Sequence, residues 1–482
     1  DMYLDFMKNS PTKLEVDYGC ELINLEIDNT KSEYPCKVTI RQNNELKVVY
    51  ANYVVGCDGA RSLVRKAINR ELKGDREGQA WGVMDVLPLT NFPDIRFKNI
   101  IKSASAGNIL LIPREGGHLV RVYVELDKLE QRGDSKSITL DKLIQTTQNV
   151  FKPFNFEVKE VAWWSVYEVG HSVTDKFDDL ADEDFTNSPH VFIAGDACHT
   201  HSAKAGQGMN VSMGDTFNLG WKLISVLTGK SDSSLLRSYS EERQVVAQGL
   251  IDYDHKWSRV MSAPINKTNV SSVQEHFIQG GNFTAGLSVK YLPSKLTGEN
   301  TYQELATGFE IGTRFHSAPV IRMCDAKPVE LGHTVKVGTK WGIYTFSDAS
   351  NPTHSDSKIA RLCEFLENSE NSPIRKHTKR DEDIDTLISV FGIFQQSHHT
   401  LEIEELPSIL RPNIGKYALK DYEKMYTSDL KSGKDIFDMR GVNRFEGCIV
   451  IVRPDQYVAH VLPLDAYEEL ENFFAGIFLE RK

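Results

Sequence analysis

Residues 195 to 221 read GDACHTHSAKAGQGMNVSMGDTFNLGW, and several of them could hold a flat, phosphate-bearing ligand. An apolar run, Val191 to Ala194, ends at Gly195-Asp196, and Gly206-Gln207-Gly208 precedes a helical pattern. Asp196 can accept a sugar hydroxyl. Glycine lets a flat ring approach the main chain. The helix N-terminus offers unpaired N–H groups and partial positive charge to an electron-rich group. Strand, acid, bare backbone and helix start therefore arrive in the order that a ribityl-phosphate cofactor needs.

A second acid sits upstream. The strand-like Tyr50 to Val55 runs into Gly56-Cys57-Asp58-Gly59-Ala60-Arg61-Ser62, and helical composition follows from Leu63 to Ile68. Asp-Gly makes a tight turn, and Arg61 and Arg65 are suited to gripping a phosphate bidentately. A third region, Gly107 to Glu125, has two strand-like runs around Gly116-Gly117, the pattern of a β-hairpin. Its polar residues of note are Arg114, Arg121 and Tyr123. On the residues alone, Tyr123 reads as a sheet aromatic and Arg114 as a surface charge.

The stretch Asp196 to His199, Gly206 to Asn210 and Asn218 to Trp221 resembles the second flavin motif of the class A aromatic hydroxylases, the family that includes fungal phenol 2-monooxygenase. Asp58 to Arg61 resembles that family's Asp-Gly motif. The resemblance implies FAD held by Asp58, Arg61, Asp196, Gly206, Gln207, Gly208, Met209 and Asn210, with NADPH as electron donor and O2 as co-substrate. It implies Tyr123 and Arg114 as catalytic residues. Tyr123 would hydrogen-bond the phenol oxygen and touch the flavin, and Arg114 would stand near the isoalloxazine. The implied reaction is ortho-hydroxylation of a phenol to a catechol through a flavin C4a-hydroperoxide. A hydroxybenzoate or hydroquinone substrate is the alternative, and a carboxylate would want a further cation, Arg114 or Arg121. A non-catalytic binding or dimerisation remnant is the reading from another class.

That family places a βαβ unit with phosphate-binding glycines ahead of this sequence, together with its catalytic aspartate. The chain starts Asp1-Met2-Tyr3 and has no Gly-x-Gly-x-x-Gly after an early strand. The expectation is a fragment short of roughly a hundred residues, since a βαβ unit alone takes about thirty or more.

The elements that must position these residues follow from periodicity. A helix at Met2 to Lys8 comes first. Strand-rich runs are Leu14 to Val16, Glu21 to Ile27, Lys37 to Ile40 and Lys47 to Tyr50. A second sheet has Trp81 to Leu87, Ile109 to Ile112, Leu119 to Val124 and Val161 to Val169, with a helix at Leu140 to Val150. Met213, Phe217, Trp221, Ile224 and Leu227 form one apolar stripe at helical period, the pattern of a packed face, stopped by Gly229. A long helix spans Ser234 to Trp257. Beyond about residue 333 we expect strands at Val335 to Gly338, Trp341 to Phe346 and Leu387 to Phe394, a helix at Ile359 to Leu366, a hairpin around Pro454-Asp455-Gln456, and a closing helix at Ala466 to Phe478. Asn368 to Asp385 is charge-rich and reads as exposed. This C-terminal order resembles the thioredoxin-like domain of the same family, which implies a homodimer. It has no Cys-x-x-Cys and so no redox nucleophile pair.

The expected fold is α/β and α+β: FAD-binding segments at 1–77 and 189–332, a substrate sheet at 78–188, and the thioredoxin-like domain at 333–482. Net charge is 56 − 67 = −11, which argues against nucleic acid or an anionic membrane surface as partner. No run approaches the eighteen or so apolar residues of a membrane span. Seven scattered cysteines suggest no disulfide framework, so a cytoplasmic setting is expected. Cys198-His199-Thr200-His201 lies inside the cofactor motif and reads as a loop, not a metal site. His398-His399 reads as a surface pair.

Overall fold

Val120, Val122 and Val124 all turn to one side of a strand, and in the computed structural model that side is buried completely. The structure describes residues 2–31, 33–103, 107–126, 138–181, 183–184, 186–201, 207–262, 278, 280–336, 338–429, 431 and 433–480. They fall into two compact units. The first comprises Asp1–Asp179, His190–Ser212 and Gln244–His276, and the second Leu180–Pro189, Met213–Arg243 and Phe277–Lys482.

In the first unit α1 (Met2–Lys8) precedes an antiparallel sheet of β1 (Cys20–Ile27), β2 (Cys36–Gln42) and β3 (Glu45–Ala51). β4 (Val54–Gly56) leads into α2 (Leu63–Ala67), whose N-terminus is capped by the Ser62 hydroxyl on the Arg65 N–H. Then come β5 (Lys73–Thr90), β6 (Asn99–Ser103), β7 (Gly107–Pro113), β8 (Val120–Glu125), α3 (Leu140–Phe151), β9 (Phe156–Val173), β10 (Val191–Ile193) and β11 (His199–Thr200). The larger sheet runs β11-β9-β5-β8-β7-β6. Strand alternation sorts its two faces. One face buries Met84, Val86, Ile109, Leu111 and the three valines with Leu143, Val150 and Phe151 of α3. Gly82 has a physical reason to be glycine, because a Cβ there would run into the Leu143 side chain. The other face carries Asp85, Arg121, Tyr123 and Trp163, in register across β9, β5 and β8.

α4 (Gly208–Leu227) and α5 (Arg237–Ser262) follow, and each contributes residues to both units. The second unit also holds a seven-stranded sheet among the described residues. Its spatial order is Lys327–Glu330, Pro319–Arg322, Met425–Ser428, Ile388–Phe394, Trp341–Phe346, Cys448–Val452, Val458–Leu462. Ile388–Phe394 and Cys448–Val452 are buried at every position, and apart from Ser389 their residues are apolar, as in strands covered on both faces. The hairpin turns at Gln456, which has φ +66°.

Four expectations need correction. Leu14 to Val16 is not a strand, and neither are the described residues of Val335 to Gly338; Val337 lies outside the described residues. Asn368 to Asp385 is not uniformly exposed, since the short helix Pro373–His377 buries Pro373, Ile374 and His377, and Asp385 is buried. The apolar stripe of α4 is the largest reversal. Met213, Phe217, Ile224 and Leu227 are 42–60% exposed, and only Trp221 is buried.

The buried side of α4 is polar, and its partners explain why. Lys222 donates to Asn218 and Glu242 at 2.8 Å each. Arg453 forks onto Glu242 at 2.6 and 2.8 Å and onto Asp455 at 3.0 and 2.8 Å. The Trp221 indole N–H donates to Asp455 at 3.2 Å. Arg243 meets Asp215 at 2.8 Å and the Tyr291 hydroxyl at 3.1 Å. Charges with almost no water contact are tolerable only when each is paired and hydrogen-bonded. Burial alone would raise the Glu242 carboxyl, but the Arg453 and Lys222 charges overcome it and hold Glu242 well below its ordinary range.

Glu242→Ala strands Lys222 and Arg453 beside the remaining carboxylate of Asp455, and should cost about 3–5 kcal/mol in denaturant unfolding. The native pKa of Glu242 is depressed. Its contribution is therefore complete above its ordinary value of 4.5 and lost as pH falls below that value. Glu242→Gln should flatten the fall in unfolding midpoint below pH 4.5.

Candidate functional site

β4 and β10 pair in parallel, Val54 opposite Val191 and Gly56 opposite Ile193. The pairing runs one step further, with the Ala194 N–H donating to the Gly56 carbonyl at 3.0 Å. Two acidic loops therefore leave neighbouring strands at the same end, Cys57-Asp58-Gly59 beside Gly195-Asp196-Ala197. Open parallel sheets bind ligands outside the carboxyl ends of their strands. Gly56 lets α2 close on β4, since a Cβ there would lie 2.5 Å from the Val64 Cβ. Gly195 turns at φ +62°.

The two acids are used differently. Asp58 caps α2: it accepts from the Ser62 hydroxyl at 2.5 Å and from the Leu63 and Val64 N–H groups at 2.7 and 3.1 Å. Asp196 is exposed in a single 3-10 turn. Arg61 is exposed, whereas Arg65 is buried and ties the two loops together. Its guanidinium donates to the Ala197 carbonyl at 3.0 Å and the Ala60 carbonyl at 2.8 Å. Burial lowers its pKa, opposed by Asp58 and Cys198. The phosphate-gripping role that its type suggested is thus replaced by one inside the protein.

Past Asp196, β11 adds to the edge of β9, His199 opposite Val173 and Thr200 opposite Ser172. The acidic loop is thereby fastened to the sheet that carries Tyr123. α4 then begins at Gly208 with no acidic residue in its first turn. A Cβ at Gly208 would fall on the His201 ring, which would have to move aside. The Asn210 amide reaches back to Gln207 at 3.3 Å. Gln207 is half-buried, and Met209 and Asn210 are exposed. Gly206 lies outside the described residues. The first N–H groups of a twenty-residue helix thus lie beside a glycine-bare approach.

On the sheet, Tyr123 is half-buried between Val83 and Leu110, its directly opposed neighbours. Arg121 makes a bidentate pair with Asp85, both bonds at 2.7 Å, and lies over the Trp163 ring at 5.5 Å. The Asp85 hydrogen bonds, assisted by the Tyr123 hydroxyl, outweigh burial and hold the Arg121 guanidinium charged beyond its ordinary range. Arg114 stands where the hairpin turns through Gly116 and Gly117, both at φ +82°. It contacts Glu115 at 2.8 Å, and its Nε is buried without a hydrogen-bond partner. Asp85 and Trp163 were not singled out from sequence. The available signal was one carboxylate inside the apolar run Trp81 to Leu87.

A family model described as FAD binding domain matches residues 8–254, and one described as phenol hydroxylase, C-terminal dimerisation domain, matches residues 289–482. The chain is 49% identical to a 3-hydroxybenzoate 4-monooxygenase of Comamonas testosteroni over 98% of this chain and 76% of that protein. It is 30% identical to a phenol 2-monooxygenase of Aspergillus fumigatus over 96% of this chain and 77% of that protein. A flavin-dependent monooxygenase solved with FAD and substrate has the same fold, with a TM-score of 0.62 at 17% identity over 95% of this chain and 75% of that one.

Arg65→Met leaves two carbonyls without their donor, at about 1–3 kcal/mol for each group that stays buried and unpaired. The expected outcome is a lower thermal midpoint together with weaker FAD retention, measured by thermal melting and flavin release. An unchanged midpoint would show that the bracket contributes nothing.

Proposed function

We infer the reaction from family membership: the chain belongs to the FAD-dependent monooxygenases that hydroxylate aromatic rings. The reaction proposed for it is NADPH- and O2-dependent hydroxylation of a phenolic ring at the carbon ortho to its hydroxyl, giving a catechol. 3-Hydroxybenzoate is the leading substrate and simple phenols are second. Both relatives' names describe this regiochemistry, because position 4 of 3-hydroxybenzoate and position 2 of phenol each adjoin the hydroxyl-bearing carbon.

The observation that carries the reading is the continuity of one sheet. Its edge strand β11 belongs to the loop of Asp196, and its strand β8 carries Tyr123. The residues fit FAD: an open Asp196 carboxylate for a ribityl hydroxyl, exposed Arg61 for phosphate, and the Gln207 to Asn210 backbone at a helix start that opens on Gly208. Asp58 contributes by shaping its loop. FAD, when bound, supplies electron transfer and oxygen activation. The chain's own residues orient the ring and manage its proton. Tyr123 hydrogen-bonds the phenol oxygen and stabilises negative charge there, which makes the ortho carbon more nucleophilic.

The substrate preference rests on cations. Arg121 is occupied by Asp85. Strand alternation puts Arg114, two residues beyond Ile112, on the face of Tyr123, and its Nε remains unpaired. Arg114 has donor capacity for a ring carboxylate. Family membership and the C-terminal domain type support a homodimer.

Two outcomes test this reading. Tyr123→Phe should slow substrate-dependent NADPH oxidation by roughly 10²-fold, the lower range for loss of a proton-managing group, and leave FAD retention unchanged. Loss of flavin would make Tyr123 structural. Arg114→Met should raise KM for 3-hydroxybenzoate about tenfold or more, the scale of a lost charge-assisted hydrogen bond, while KM for phenol stays near its original value. Equal effects on both substrates would remove the carboxylate role.

A further inference from the structure

We propose that Asp85 is a specificity-determining residue: its carboxylate cancels the charge of Arg121 on the face that carries Tyr123, so that this face favours a ring with at most one carboxylate over a ring with two. The inference rests on the role of Tyr123 proposed above.

Three side chains form one cross-strand row. Asp85 lies directly opposite Arg121 across β5 and β8, and directly opposite Trp163 across β5 and β9. The next row on the same face is Ser165, Val83, Tyr123 and Leu110. Two residues along a strand span about 7 Å. A ring held at Tyr123 is therefore one row from the Arg121 charge, inside the screening length of about 8–10 Å in ordinary buffers. An unpaired guanidinium there would attract every carboxylate on the ring.

Arg121 is not unpaired. Its Nε and Nη2 each meet Asp85 at 2.7 Å, the fork that matches a guanidinium to a carboxylate. Its Cζ lies 5.5 Å from the Trp163 ring, so a second neighbour covers the group. The Arg121 side chain keeps 25% of its surface and that of Asp85 only 8%. The cation is thus the accessible half of the pair. Asp85 is the one charged residue in the run Trp81 to Leu87, and its burial carries a desolvation cost. The field of a neutral pair falls faster with distance than that of a single charge. Glu125, one row beyond Tyr123 on β8, adds a carboxylate and no cation. The cation left for the ring is Arg114, whose neighbour Glu115 is 75% exposed and so weakly coupled to it. One effective cation matches one ring carboxylate.

The test compares phenol, 3-hydroxybenzoate and 5-hydroxyisophthalate, which differ by one carboxylate each. The 5-carboxamide of 3-hydroxybenzoate, close in size to the dicarboxylate with one charge fewer, separates charge from bulk. Dissociation constants are measured by calorimetry on the FAD-loaded full chain at pH 8. The unaltered chain should bind the carboxamide more tightly than the dicarboxylate; equal binding would overturn the proposal. Asp85→Asn uncovers the Arg121 charge and should tighten 5-hydroxyisophthalate relative to the carboxamide by about threefold to tenfold, the scale of one charge about 7 Å away. Asp85→Glu, which keeps the charge, should leave that ratio unchanged. Asp85→Asn with Arg121→Met removes both charges and should return the ratio to its original value. A loosened fold weakens all ligands together and does not produce this gain. A ratio unmoved by Asp85→Asn would overturn the proposal, as would a gain that persists in the double variant. If Asp85→Asn fails to fold, Arg121→Met carries the test: it leaves the Asp85 carboxylate uncompensated and should weaken the dicarboxylate relative to the carboxamide, whereas Arg121→Lys should not. Equal losses for both ligands would again overturn it. If the unaltered chain binds neither phenol nor 3-hydroxybenzoate, the proposed function fails first, and this inference falls with it.

Discussion

The site depends on three residues of parallel pairing. β4 meets β10 over Val54 to Gly56, and this brings the Asp58 and Asp196 loops to the same end although they are far apart in sequence. Three ladder steps are a short contact, and the backbone there has two reinforcements. The Ala194 N–H extends the ladder to Gly56, and Arg65 bridges the Ala60 and Ala197 carbonyls. A buried guanidinium makes a good bridge because it carries fixed donors in a plane and stays charged under desolvation. Arg61, in the same turn, is exposed instead.

From that pairing the next segments follow in order. The chain leaves β10 through Gly195, exposes Asp196, and returns to the sheet edge as β11 before α4 begins. The return to β9 links the Asp196 loop to the six-stranded sheet through backbone hydrogen bonds, which hold position better than side-chain contacts across a loop. The sheet separates its duties by alternation. Its valine face is filled by α3, so the opposite face can carry Asp85, Arg121, Tyr123 and Trp163 at little cost to the core.

Much of this was legible in the sequence. The strand at Val191 to Ile193 and the helix start at Gly208 were read correctly, because each is a local backbone requirement. The β7–β8 hairpin was legible from two β-rich runs around a glycine pair. Two things were not. The stripe of Met213, Phe217, Ile224 and Leu227 has the period of a core face, yet in the structure it is exposed, and the side with Asp215, Asn218 and Lys222 is buried. Periodicity detects a helix and ranks faces by hydropathy. It cannot see that Glu242, Arg453 and Asp455 arrive from distant segments to satisfy a charged face. Arg65 and Asp85 escaped for the same reason: the partner that decides the role of a charged residue lies 132 residues away in one case and 36 in the other.

The central claim is that the chain directs oxygen to the ring carbon beside a phenolic hydroxyl. The most direct measurement supplies 18O2, NADPH and 3-hydroxybenzoate to the FAD-loaded protein and identifies the product by mass spectrometry. The account predicts 3,4-dihydroxybenzoate with one 18O in the new hydroxyl. NADPH consumption that yields only labelled hydrogen peroxide, or a product labelled away from the ortho carbon, would contradict it.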